Sequence, residues 1–262
     1  MRELPHEAPP RFEVRVLPNA AEAARAAAEE LVDAGEDAIS NRGVFRIALS
    51  GGSTPRALFQ TLASRPFRGR IEWNKSRVFF VDERCVPPAH ERSNYRMAKE
   101  HLLGPLRIPE ANVFRIRGEN EPRRAAREYE RVLSREFGGR TPRFDLVLLG
   151  MGADGHTASL FPGTRAIAER TKFVAANHVS GLDDWRITLT LPVLNAARRV
   201  VFLTVGPEKR AAVLAVLRRK RGSPSLPASL VKPKRGSLIW ILDASAATGL
   251  IADPFGNGGL SS

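Results

Sequence analysis

Several short stretches of the chain set polar residues directly behind an apolar run, and these are where its chemistry must be sought. The run "FDLVLLG" (144 to 150) leads into "GMGADGHTASLFP" (150 to 162). Gly150, Gly152 and Gly155 free the backbone of this loop, which delivers Asp154 and His156 to its rim. Histidine, with an unperturbed pKa of roughly 6.5, is the usual proton acceptor near neutrality. Of the five histidines, His6 lies near the start, His90 in a Pro-rich loop, His101 in a helical pattern and His178 at the end of a strand pattern. Only His156 is framed by glycines. The same residue can equally cap a loop, so both roles stay open on residue type alone.

After "VFRIALS" (44 to 50) comes "GGSTPR". Gly51 and Gly52 let backbone approach a ligand, Ser53 and Thr54 offer hydroxyls, and Pro55 opens the next helix. This is the composition of an anion cradle at a helix N-terminus, and also of a tight turn that binds nothing. "RVFFVD" (77 to 82) ends in Asp82, Glu83 and Arg84. Arg84 can grip a phosphate bidentately while Asp82 and Glu83 bind sugar hydroxyls or hold the loop; three charges can also be a solvated strand exit. The nearby "SNY" offers Ser93 or Asn94 as a helix cap. Lys209 opens the helix after "FLTVGPE", where a cation works against the dipole, and Arg186 starts "RITLTL". Both can face an anion.

Other chemistries have no support. There is no GxSxG elbow, no HExxH, no Walker A loop and no Cys/His spacing of a zinc site. The one cysteine, Cys85, excludes an internal disulfide. Hydrolysis, if it occurs, would use water directly.

The elements that must position these residues follow from periodicity. Strand patterns fall at 12 to 17, 44 to 50, 77 to 82, 144 to 150, 172 to 179, 186 to 191, 200 to 206 and 238 to 243. Helical patterns separate most of them: one capped by Asn19 with Glu22 three residues on, then 55 to 64, 93 to 103, 122 to 137 and 207 to 219. Nearly continuous apolar strands alternating with helices predict a three-layer α/β/α sandwich with a mainly parallel sheet. Ligands of such sheets bind beyond the carboxyl ends of the strands, where the candidate residues other than Arg186 lie. No repeat or long linker divides the 262 residues, so one domain is expected, with 1 to 10 and 253 to 262 as loose ends.

The chain carries 41 Lys and Arg against 28 Asp and Glu, a formal charge of +13 that favours anionic partners. The run "RRKRG" (218 to 222) suits a helix end better than a nucleic acid, and no aromatic-basic alternation accompanies it. No nucleic-acid partner and no obligate protein partner are expected, and no membrane either, because every apolar run falls far short of the roughly 20 residues that span a bilayer. The expected location is the cytoplasm.

In order, "LSGGSTPRALFQTLA", "VFFVDERCVPPAHERSNYRMAKEHLL", "FDLVLLGMGADGHTASLFPGT", "WRITLTLPVLNAARRVVFLTVGPEKRAAV" and "PSLPASLV" followed by "WILDASAA" resemble the 6-phosphogluconolactonase family over about residues 12 to 248. The resemblance implies hydrolysis of 6-phospho-D-glucono-1,5-lactone, a small-molecule sugar-phosphate lactone, without cofactor. It also implies the fold of sugar-phosphate isomerases, deaminases and CoA transferases. Residue by residue, it makes His156 catalytic and gives Arg84 and Lys209 the phosphate. Gly51, Gly52, Ser53 and Thr54 would line the cradle; from the reading of the loops themselves, Asp82, Glu83, Gly152 and Gly155 are also expected to bind substrate. Asp154 and Arg186 would complete the pocket. Glucosamine-6-phosphate deaminases share several blocks, but typically carry tyrosine after the Asp-Glu pair and Phe-Asn-Glu in the histidine loop. Here Arg84 and "TASLFP" stand instead.

Overall fold

A computed structural model describes residues 11–218 and 225–250. The ends read as loose tails, and most of the basic run after Arg218, lie outside the described residues. Ten strands occur among them: β1 (Phe12–Leu17), β2 (Phe45–Leu49), β3 (Ser76–Phe80), β4 (Asp82–Arg84), β5 (Val113–Phe114), β6 (Leu146–Leu149), β7 (Val174–Val179), β8 (Asp184–Leu189), β9 (Arg199–Thr204) and β10 (Ser237–Asp243). The helices are α1 (Ala20–Arg42), α2 (Ser53–Ala63), α3 (Asn94–Ala98), α4 (Pro122–Glu136), α5 (Leu191–Leu194) and α6 (Arg210–Leu217).

Seven strands form one parallel sheet in the order β1-β10-β9-β6-β2-β3-β5. Every residue of β6 is buried, so both faces of the sheet are covered by other layers. The alanines of α1 make that cover close: Ala23, Ala27, Ala28 and Ala38 are fully buried, on a helix capped by Asn19 Oδ1, which accepts from the Glu22 N–H at 3.0 Å. Gly43, at φ 72°, ends it in the left-handed conformation that favours glycine. The chain places β3 and β5 on one side of β2, then returns to place β6, β9 and β10 on the other. The reversal lies between β2 and β6, which is where a crevice opens in sheets of this kind.

One feature departs from the periodicity. The run 77 to 82 is not one strand, and "RITLTL" and "KFVAANHV" do not join the main sheet: β4, β8 and β7 form a separate antiparallel sheet. Val81 is the pivot. Its N–H donates to Leu49 O of β2 at 2.9 Å, and its carbonyl accepts from Leu189 N of β8 at 2.8 Å. The physical reason lies in the connection: β7 and β8 are joined by residues 180–183 alone, too short for a parallel crossover. Where β5 stops short of Phe80, Tyr129 of α4 takes over the ladder. Its hydroxyl accepts from Phe80 N at 2.9 Å and donates to Phe80 O at 3.0 Å.

Candidate active site

The carboxyl ends of β2, β6 and β9 and the edge of the small sheet enclose a crevice of about 740 Å³. Every residue expected to be catalytic or to bind substrate lines it except Glu83 and Gly155. On the β6 side, the Asp154 carboxylate accepts from the His156 backbone N–H at 3.1 Å and lies 2.6 Å from His156 Nδ1. A carboxylate has only acceptors, so the neutral ring carries its proton on Nδ1 and keeps the Nε2 lone pair free. The Phe161 ring stacks on the imidazole, with centroids 4.1 Å apart and planes at 24°. Gly152 is required beneath this pair: a Cβ there would fall 2.2 Å from His156 Nδ1 and 2.5 Å from Asp154 Oδ1.

Across the switch point, Gly51 and Gly52 lead into α2. Gly52 sits at φ 111°, and no side chain caps the helix, which leaves first-turn N–H groups beside Ser53 and Thr54 without a side-chain acceptor. A Cβ on Gly51 would strike Asn94 Oδ1 at 1.8 Å, so this glycine makes room for a neighbour as much as for a ligand. Lys209 follows β9 on a single turn, and its ammonium lies 3.9 Å from Glu208, at the outer limit of an ion pair.

The small sheet supplies the arginines. In the antiparallel register Arg84 of β4 stands directly opposite Arg186 of β8, on one face. Opposed like charges destabilise a ladder, which makes the pair costly unless an anion meets it. Part of the charge is answered locally: Arg186 pairs with Asp184, which also takes Arg92 at 2.7 Å. Burial works against the Asp184 charge, yet bonding and attraction from Arg186 and then Arg92 outweigh it and lower its pKa. The Arg84 Nη1 donates to Arg92 O at 2.5 Å, leaving the rest of its guanidinium to the crevice.

Two of the expected substrate-binding residues do not line the crevice. Glu83 does not face the crevice: it is buried, and its carboxylate accepts from Arg84 N, Asn94 N, Tyr95 N and the Ser93 hydroxyl. Burial raises its pKa, the N–H bonds of Tyr95, Asn94 and Arg84 only partly opposing this. It is the clamp that caps α3, as its alternative role of holding the loop requires. Gly155, at φ 78°, also turns away from the crevice, packing on Leu226 while its carbonyl accepts from Ala228 N at 3.0 Å. The residue types did not single out Asn94, Ser159 and Phe161 as lining residues. Asn94, a cap candidate by residue type, instead reaches Asp82: its Nδ2 donates to Asp82 O and Asp82 Oδ1.

Such an arrangement, a parallel α/β sheet whose switch point holds a histidine-aspartate pair facing cations and open N–H groups, defines a class of enzymes that act on small anionic metabolites. More narrowly, the chain belongs to the glucosamine-6-phosphate isomerase/6-phosphogluconolactonase family, whose profile matches residues 18–240. It is 39% identical over 219 residues to a 6-phosphogluconolactonase of Nostoc sp., covering 82% of this chain and 88% of that one. The human 6-phosphogluconolactonase is 42% identical over 217 residues, covering 82% and 83%. Among solved structures, the 6-phosphogluconolactonase of Trypanosoma brucei superposes with a TM-score of 0.82 at 31% identity, covering 92% of this chain and 99% of that one. A monomeric glucosamine-6-phosphate deaminase shares the fold, with a TM-score of 0.75 at 18% identity, over 90% and 99% of the two chains.

Proposed function

We propose that the chain hydrolyses 6-phospho-D-glucono-1,5-lactone to 6-phosphogluconate with His156 as general base. The observation that carries this is the imidazole itself: Asp154 holds Nδ1, so Nε2 is left as a proton acceptor in a crevice lined by Arg84, Arg186 and Lys209. The similarity to the Nostoc and human lactonases supports the substrate. Arg84, Lys209 and the open N–H groups around Gly52, Ser53 and Thr54 take the phosphate; Asp82 takes a sugar hydroxyl. Water attacks C1 while Nε2 accepts its proton. The resulting oxyanion is steadied by Arg186 and loop N–H groups, a contribution often worth several kcal/mol. As the bond from C1 to the ring oxygen breaks, the imidazolium returns the proton to that oxygen, and the new carboxylic acid ionises to solvent. A lactone needs positioning and one proton carrier more than a covalent nucleophile.

Deamination of an amino-sugar phosphate is the competing reading, and it finds no carboxylate in Thr157–Phe161 to carry protons in the histidine loop. No helix among the described residues is long and apolar enough to cross a membrane. A single free cysteine suits a reducing compartment, and we take the location to be the cytoplasm. The test is a coupled assay that feeds freshly made lactone and follows 6-phosphogluconate through its dehydrogenase. A rate well above spontaneous hydrolysis is expected; a rate equal to it overturns the proposal.

A further inference from the structure

The loop that carries His156 is anchored by a small residue to which neither the sequence nor the chemistry above gives a role. Ser159 is buried, and each of its polar groups is engaged. Its N–H donates to Thr188 Oγ1 at 3.2 Å, its carbonyl accepts from Asn177 Nδ2 at 2.9 Å, and its hydroxyl donates to Asp82 Oδ2 at 2.6 Å. These partners lie on β8, β7 and β4, every strand of the small sheet. The same β4 and β8 present Arg84 and Arg186. One serine therefore joins the proton acceptor's loop to the sheet that carries the arginine pair.

The loop itself is under tension at this point. Ala158 has φ 51°, a left-handed conformation that alanine avoids and that persists only where its surroundings impose it. On one side, Thr157 Oγ1 donates to Gly150 O at 2.8 Å; on the other, Leu160 N donates back to Thr157 O at 2.9 Å. The tight turn so formed sets Phe161 against the His156 ring. Without the Ser159 bonds, Ala158 has a reason to relax, and Phe161 would move with it.

We propose that Ser159 is a positioning residue: it sets the distance and tilt of the His156 imidazole relative to Arg84 and Arg186, acting through Asp82 and Phe161. The proposal rests on the lactone-hydrolysis reading, in which the substrate's phosphate and its C1 lie a fixed distance apart, so the two halves of the crevice must keep one spacing. A misplacement of about 1 Å can cost about 100-fold in rate.

The experiment compares wild type with Ser159→Ala, using two readouts. The first is the kcat and KM for the fresh lactone: kcat is expected to fall about 10- to 100-fold while KM changes less than about threefold. The second is the proton NMR spectrum of the His156 ring, whose upfield displacement by the stacked Phe161 is expected to diminish. A folded variant in which either readout keeps its wild-type value overturns the proposal. Should Ser159→Ala not fold, Thr188→Val takes its place, because it removes the acceptor of the Ser159 N–H at similar volume; the same pattern at smaller amplitude is expected. Wild-type protein without lactonase activity would refute the assigned reaction, and the ring spectrum would still decide whether Ser159 holds the imidazole.

Discussion

The His156 imidazole is fixed on two sides, by the Asp154 carboxylate on Nδ1 and by the Phe161 ring on its face, and neither contact consumes Nε2. Its partner in substrate selection is Arg84, half-buried and opposed to a second arginine across the ladder. Removing one guanidinium should weaken binding of the phosphate without touching the proton acceptor. Arg84→Ala is thus expected to raise KM for the phosphorylated lactone about 10- to 100-fold, the loss of a charge-assisted hydrogen bond of about 1.5–3 kcal/mol, and to leave unphosphorylated glucono-1,5-lactone nearly unaffected. Equal effects on both substrates would remove the phosphate role. Residue type was a good guide where the group is charged and lies at a strand end. It misjudged Glu83, because a buried carboxylate taking four donors and a sugar-binding carboxylate look alike in sequence. It passed over Ser159, whose partner Asp82 lies 77 positions away.

At the scale of elements, the apolar strands were legible because burial on both faces leaves them continuously hydrophobic. The strand β4 was not, since Asp82, Glu83 and Arg84 become a strand only by pairing with β8, about 100 positions further along the chain. β5, two residues long, offers no period to read. Connections between elements also carry measurable electrostatics. Before β7, the Glu169 carboxylate accepts from the N–H groups of Thr171, Lys172 and Arg170 and from the Thr171 hydroxyl. The N–H bonds of Thr171 and Lys172 lead in lowering its pKa to about 2. A depressed carboxylate stabilises the fold above its unfolded pKa, and the contribution is lost as pH falls through about 2. Glu169→Gln should therefore cost on the order of 1 kcal/mol at neutral pH, after allowance for solvent screening. In denaturant titrations the gap between the two proteins should close between about pH 4 and pH 2. A gap independent of pH would show that charge on Glu169 is not what stabilises the turn. Glu83 has the opposite sign, its raised pKa making its ionised form a growing burden as pH rises above the ordinary carboxylate range.

The whole molecule carries a formal charge of +13, more than a dianionic substrate requires. Its long-range field should nevertheless draw that substrate in. As ionic strength rises from about 0.01 to 0.15 M the Debye length contracts from about 30 to 8 Å. Over that range kcat/KM should fall several-fold while kcat holds steady; a kcat/KM indifferent to salt would mean that the surface charge plays no part in capture. The overall architecture was the most legible level, because alternating strands and helices confine the ligand to the carboxyl edge before any contact is known. The second sheet was the part that stayed hidden, and it carries both arginines. Proton transfer at His156 is the central step of the proposed reaction, and its most direct test is the turnover of freshly prepared 6-phosphogluconolactone by folded His156→Ala, with spontaneous hydrolysis subtracted. The prediction is a kcat lower by about 100- to 10,000-fold with KM little changed; turnover at the wild-type rate would contradict it.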